Sequence, residues 1–144
     1  MHEDGPRWNE RYAASPPPSP RAPEALDRWP EVATLLPESG RCLDIASGSG
    51  AVTLWLAQQG LEVTALDVSN VAIDRREAAA TASGLSDRID ARTVDLDQGL
   101  SADLDDLDLV VCQRFRDPAL YRPIVDRLRT GGLAVITVLS SVGA

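Results

Sequence analysis

The sequence predicts an α/β fold: a doubly wound, mostly parallel sheet of about five strands with helices on both faces. Three observations predict it. From Arg41 onward, short apolar runs alternate with helical segments and turn signals, which is the βαβ rhythm. Gly60 and Gly84 stand where a helix should stop before the next strand. Residues 133–139 are almost continuously apolar, as a strand buried on both faces must be. The 144 residues suit a single domain.

The elements follow in order. Trp8, Arg11 and Tyr12 have a spacing that makes them neighbours on a short helix. Residues 15–23 hold five prolines in nine positions, so they are extended and act as a linker. Between 24 and 36, Leu26, Trp29, Val32, Leu35 and Leu36 recur at helical spacing, with Pro30 fit to start a second helix, giving two short helices or one broken one. Residues 1–40 are thus expected to form an N-terminal segment of short helices and a Pro-rich linker, and 41–144 the core. The first core strand is expected at 42–46, then the turn Ser47-Gly48-Ser49-Gly50 and a helix to 59. A second strand at 61–66 leads to a helix capped by Ser69 or Asn70 and running to 83. A third strand at 89–94 precedes an Asp-rich stretch, and a fourth covers 107–112. Asp117-Pro118 opens a last helix to 129, after which Thr130-Gly131-Gly132 turns into the fifth strand.

Composition excludes several classes of function. Fourteen basic against twenty-two acidic side chains give a formal charge of −8, opposite in sign to a nucleic-acid-binding surface, so no nucleic-acid partner is expected. All the basic residues are Arg; with no Lys, and no Gly-Lys-Ser or Gly-Lys-Thr, a P-loop is absent. Two cysteines, Cys42 and Cys112, both in apolar runs, are too few for a disulfide framework or a metal cluster. No apolar run reaches the ~18 residues of a membrane span, and residues 1–20 lack a signal peptide's apolar centre. A soluble cytoplasmic protein without a membrane partner is expected.

The strongest chemical signal is the run from Cys42 to Gly50, at a strand-to-helix junction. The small residues Ala46, Ser47, Gly48, Ser49 and Gly50 let a ligand approach the main chain, and the helix start offers unpaired N–H groups. The same glycines would also serve a tight turn with no ligand. Asp67 ends the next strand 19 positions after Gly48, matching the offset of an acid that accepts both hydroxyls of an adenosine ribose, although an Asp before Ser69 and Asn70 also suits a plain turn. Thr53 stands where a dinucleotide fingerprint needs a third small residue, which disfavours NAD. Asp44 adds a negative charge awkward for pyrophosphate but compatible with a sulfonium, or it binds the amides of its own loop.

With these residues in place, the sequence resembles the class I S-adenosylmethionine-dependent methyltransferases, a Rossmann-like family. The resemblance runs from about Arg41 to Leu139. It rests on the ordered set formed by the glycine-rich run 43–50, Ala65-Leu-Asp67-Val-Ser69, Thr93-Val-Asp95-Leu-Asp97, the strand 106–112 and Leu128-Arg-Thr-Gly-Gly-Leu133. Trp8-Asn-Glu-Arg11-Tyr12 is similar to the opening of the tellurite-resistance-like and thiopurine-like small-molecule branch, where such a segment covers the cofactor. The resemblance implies S-adenosylmethionine as cofactor, with Asp44 and backbone from Ala46, Ser47, Gly48 and Gly50 about the methionine moiety. It further implies Asp67 on the ribose, Val68 against the adenine, Asp95 accepting from the adenine amino group and the Leu96 amide donating to the ring. Asp95 would otherwise be one more solvated acid of the 87–108 run. Cys112 would lie beneath the methyl group or simply in the core, and Gln113 and Arg114 would line the mouth of the substrate pocket. No residue is singled out as catalytic and none as a metal ligand.

The family's sheet usually continues after its fifth strand into an antiparallel hairpin, which this sequence lacks, so a truncated core with its C-terminal strands missing is expected. An uncovered fifth strand would present an edge through which the chain could form a homodimer. The resulting expectation is a methyltransferase acting on a small-molecule acceptor. A cofactor-binding protein without competent turnover is the alternative, and an NAD-dependent oxidoreductase the third. The arginines at 114, 116, 122, 127 and 129 are read as a solvated helix face answering the acidic run, or as room for an anionic acceptor.

Overall fold

In β1 (Gly40–Ile45) the side chains divide with period two, as a strand covered on both faces requires. Cys42 joins one apolar cluster while Leu43 and Ile45 join the other. The computed structural model describes residues 19–45, 50–113 and 118–137. Within these, α1 (Glu24–Arg28) is followed by a 3₁₀ turn at Pro30–Leu35, so the N-terminal pattern becomes two short helices with Pro30 opening the second. After β1 come α2 (Ala51–Gln58), β2 (Leu61–Asp67), α3 (Asn70–Ala82), β3 (Ile89–Thr93), β4 (Leu107–Gln113), α4 (Pro118–Arg127) and β5 (Leu128–Thr137).

The five strands pair in the order β3-β2-β1-β4-β5, all parallel. β1 therefore lies between the strand that follows it and one that arrives later, which makes the β1–β4 boundary the point where the winding reverses. Ligands of open α/β sheets settle outside the carboxyl ends of the strands at such a point. One face of the sheet is closed by Val52, Leu56 and Ala57 of α2 with Ala25 of α1, packed on Val63, Leu109 and Val111. The other is closed by Leu120 and Ile124 of α4 and by Leu96 and Leu104, packed on Leu43, Ile45 and Val110. Each such fully buried aliphatic side chain contributes about 1.5–3 kcal/mol.

The helix ends expected from the sequence are present. The Ala72 amide donates to the Ser69 hydroxyl (3.1 Å), which caps α3, and Gly60 (φ +104°) turns the chain from α2 into β2. Two expectations need correction. β5 starts at Leu128, directly after α4, instead of at 133. Leu107 pairs with Leu128 but Leu109 with Leu133, so Arg129–Gly132 bulges out of the ladder; the turn read at Thr130-Gly131-Gly132 is this bulge, inside the strand. The arginine run near α4 is also not one solvated face. Among the described residues of that run, Arg122, paired with Asp126 at 3.2 Å, and Arg129, paired with Asp108 of the acidic run, are exposed as expected, whereas Arg127 donates to the carbonyls of Ser101, Leu104 and Leu100. Arg41 and Arg92 hold the same connection before β4, through the carbonyls of Asp103 and Asp105 and the carboxylate of Asp103. No helix among the described residues is long and apolar enough to cross a membrane.

Candidate functional site

The carboxyl ends of β1, β2 and β3 bring four sequence-predicted residues to one edge. Asp44, next to last in β1, is fully buried and accepts from the Thr53 hydroxyl (2.5 Å) on the first turn of α2. Asp67, the last residue of β2, is 5% exposed; its Oδ1 accepts from the Ser69 amide at 3.0 Å, an Asx turn that leads into α3. Its carbonyl accepts from the Val94 amide (2.8 Å), which places Asp95 directly beside it. Asp95 then caps a short 3₁₀ turn by accepting from the Asp97 amide (3.0 Å), with Leu96 buried below.

Gly50 connects the β1 loop to α2 in the left-handed region (φ +92°), a conformation that a side chain would strain. A Cβ there would lie 2.5 Å from Cγ of Arg76 and 3.1 Å from its Nε. Arg76 itself is 1% exposed, and its Nη2 reaches Asp67 Oδ2 at 3.5 Å. Sequence reading missed Arg76, since nothing along the chain distinguishes it from its neighbour Arg75. It also missed that Thr53, read only as the wrong residue for a dinucleotide site, has a positive task in binding Asp44.

On the far side, the last residue of β4, Gln113, is 7% exposed and accepts from the Glu24 amide through Oε1 (2.6 Å). The Arg21 amide donates to the Ala51 carbonyl (3.0 Å), so residues 21–24 run from the start of α2 to the end of β4. Between α1 and β5 lies a cleft of about 490 Å³ lined by Glu24, Ala25, Arg28, Trp29, Ile136 and Thr137, within the size range of small-molecule sites. Trp29 is half exposed there, and the Arg28 guanidinium sits 5.2 Å from the centre of its ring. Cys112 is buried in β4; burial first, and the Asp44 charge second, push its thiol up to about 12, so it is a neutral thiol at physiological pH. Cys42 is shifted upward for the same two reasons. Among the described residues no group of His, Cys, Asp and Glu converges as a metal site would require.

The family model described as a methyltransferase domain matches residues 42–132, well over half of the chain. The chain belongs to that family. Among curated proteins, 44 residues are 46% identical to YqeM of Bacillus subtilis (strain 168), which is named as a methyltransferase; the match covers 30% of this chain and 18% of YqeM. Among solved structures, the S-adenosylmethionine-dependent methyltransferase of Thiobacillus denitrificans, in complex with S-adenosylhomocysteine, superposes with a TM-score of 0.65 at 22% identity, over 89% of this chain and 52% of that one. The precorrin 8w decarboxylase of Methanobacterium thermoautotrophicum superposes with a TM-score of 0.69 at 26% identity, over 88% of this chain and 68% of that one. The chain thus spans about half the length of the Thiobacillus structure, and its match spans less than a fifth of YqeM.

Of the residues predicted for the methyltransferase site, the structure gathers Asp44, Gly50, Asp67, Val68, Asp95 and Leu96 at the β1–β3 edge, and Cys112 and Gln113 at the end of β4. Ala46, Ser47, Gly48 and Arg114, and the N-terminal Trp8, Arg11 and Tyr12, lie outside the described residues.

Proposed function

We propose that this chain is an S-adenosylmethionine-dependent methyltransferase acting on a small molecule in the cytoplasm, with residues 1–40 as a cover over the cofactor and 41–144 as the core. The observation that carries the reading is Asp67, a carboxylate at the end of the strand next to the central one, beside a left-handed Gly50 and tied through its own carbonyl to the segment bearing Asp95. The residues present fit the cofactor. Asp67 offers acceptors for ribose hydroxyls, Val68 and the Leu96 amide offer an apolar wall and a donor for adenine, and Gly50 makes the left-handed turn into α2. Asp44 supplies negative charge on the sulfonium side. Thr53 fills the position that a dinucleotide would need small, which supports this cofactor over NAD.

When bound, the cofactor supplies an electrophilic methyl group on a sulfonium. The chain's own work is to fix the reactants in line and to exclude water. Gln113, held by the Glu24 amide, supports placing the acceptor under α1, in the cleft walled by Trp29 and Ile136, where it would approach from the β4–β5 side. Cys112 takes no part as a nucleophile because its thiol stays protonated. We assign no nucleic-acid or membrane partner.

Titration calorimetry with S-adenosylhomocysteine tests the reading. The wild-type chain should bind it, and Asp67→Ala should weaken binding by about 1.5–3 kcal/mol, the value of hydrogen bonds to a charged group. Absence of binding by the wild type at millimolar ligand would overturn the assignment.

A further inference from the structure

We propose that Arg76 is a positioning residue that presents Asp67 to a vicinal diol, so that the site selects a furanose with free 2′ and 3′ hydroxyls. This rests on the cofactor reading above and adds to it a residue outside the matched motifs. Arg76 occupies the buried face of α3 together with Ala72, Ile73 and Ala80. A guanidinium with 1% exposure carries a desolvation penalty that an aliphatic residue continuing that face would not. Its side chain runs across Gly50, whose missing Cβ is what leaves room for it, and ends with Nη2 3.5 Å from Asp67 Oδ2. One side chain therefore spans the two segments that form the ribose end of the site.

The acceptor count on Asp67 follows. An ionised carboxylate has about four lone-pair positions, two on each oxygen. The Ser69 amide takes one on Oδ1 and Arg76 one on Oδ2. One position is left on each oxygen, and a cis-diol carries one donor for each. Because both oxygens are held, the carboxylate cannot rotate away from the presenting geometry. A group at residue 76 that was merely apolar would leave Oδ2 free to turn.

Calorimetry of the full chain with two probes, S-adenosylhomocysteine and its 2′,3′-dideoxy analogue, separates positioning from packing. Arg76→Met should weaken the diol ligand about tenfold or more, Arg76→Lys should regain part of that loss, and neither should change affinity for the dideoxy analogue by more than about twofold. The Asp67→Asn/Arg76→Met pair should bind the diol no more weakly than Asp67→Asn alone, since the arginine acts through the acid. Equal losses for both ligands, or full affinity in Arg76→Met, would overturn the proposal. If Arg76→Met does not fold, Arg76→Gln and Arg76→Lys carry the same comparison. The two readings fail separately: a wild type that binds neither probe removes the cofactor site itself, whereas an Asp67-dependent affinity indifferent to residue 76 removes only Arg76.

Discussion

Thr53 on the first turn of α2 donates its hydroxyl to Asp44 near the end of β1, and both side chains are fully buried. The bond ties the helix after the glycine loop to the strand before it, across residues that a ligand is proposed to touch. Thr53→Val keeps the shape of the side chain and removes a donor from a buried carboxylate. Stability should fall by about 1–3 kcal/mol in urea titrations, and Thr53→Ser should recover most of it. Unchanged stability in Thr53→Val would show that the bond contributes nothing net.

The connection from β3 to β4 has little core of its own beyond Leu96 and Leu104 and is held by arginines instead. Arg127 alone donates to three carbonyls there, at Ser101, Leu104 and Leu100. Arg127→Met should keep the packing of the stem while leaving partly buried carbonyls without their donor. We expect a loss of about 1–3 kcal/mol, with faster amide exchange confined to residues 99–106. Exchange that rises uniformly over the sheet would mean that Arg127 supports α4 and not the connection.

How much of this was legible in the sequence depended on whether the signal was local. Apolar runs located the five strands of the described residues, and Ser69, Gly60 and Pro30 marked helix ends because a cap or a left-handed turn needs only neighbouring residues. The paired acids Asp67 and Asp95 could be read from their place after successive strands. Arg76 could not, since α3 is rich in polar residues and an arginine on such a helix reads as solvated until its partners at Asp67 and Gly50 are brought to it by the sheet. The start of β5 was misplaced for a related reason: Thr130-Gly131-Gly132 is a turn signal, and only pairing with β4 shows that the chain bulges and stays in the ladder.

Acid should loosen the molecule through two aspartates. The Arg41 backbone amide, then the Arg129 guanidinium, hold Asp108 below the ordinary carboxylate range, and Arg92 with Ser101 does the same to Asp103. A carboxyl group whose folded value lies below its unfolded one, about 3.9, stabilises the fold above that pH and stops doing so as pH falls through the folded value. Urea-derived stability should therefore decline below about pH 4, and Asp108→Asn should flatten that decline. A slope unchanged in Asp108→Asn would place the acid sensitivity elsewhere.

Alkali acts in the opposite direction on the cysteines. Cys112 is held up to about 12 by burial and the Asp44 charge, whereas an unfolded thiol ionises near 8.5. Its contribution is complete below the unfolded value and is lost as pH rises towards the folded one, so stability should fall between about pH 8.5 and 12. Cys112→Ser should make that fall shallower. The same burial predicts that neither Cys42 nor Cys112 reacts with Ellman's reagent at pH 8 until the chain is unfolded. Rapid labelling of the native protein would contradict the burial of both thiols.

The last expectation concerns β5, which pairs with β4 on one side and stands at the end of the strand order among the described residues. A ten-residue strand carries a row of backbone donors and acceptors along its outer side, and these are satisfied by water or by another strand. Its bulge at Arg129–Gly132 disturbs only the first half, leaving Leu133–Thr137 as a regular template. We expect the chain to self-associate through this second half, edge to edge, with a concentration dependence visible in light scattering. A wild type that is monodisperse and monomeric at high concentration would show that water satisfies the edge.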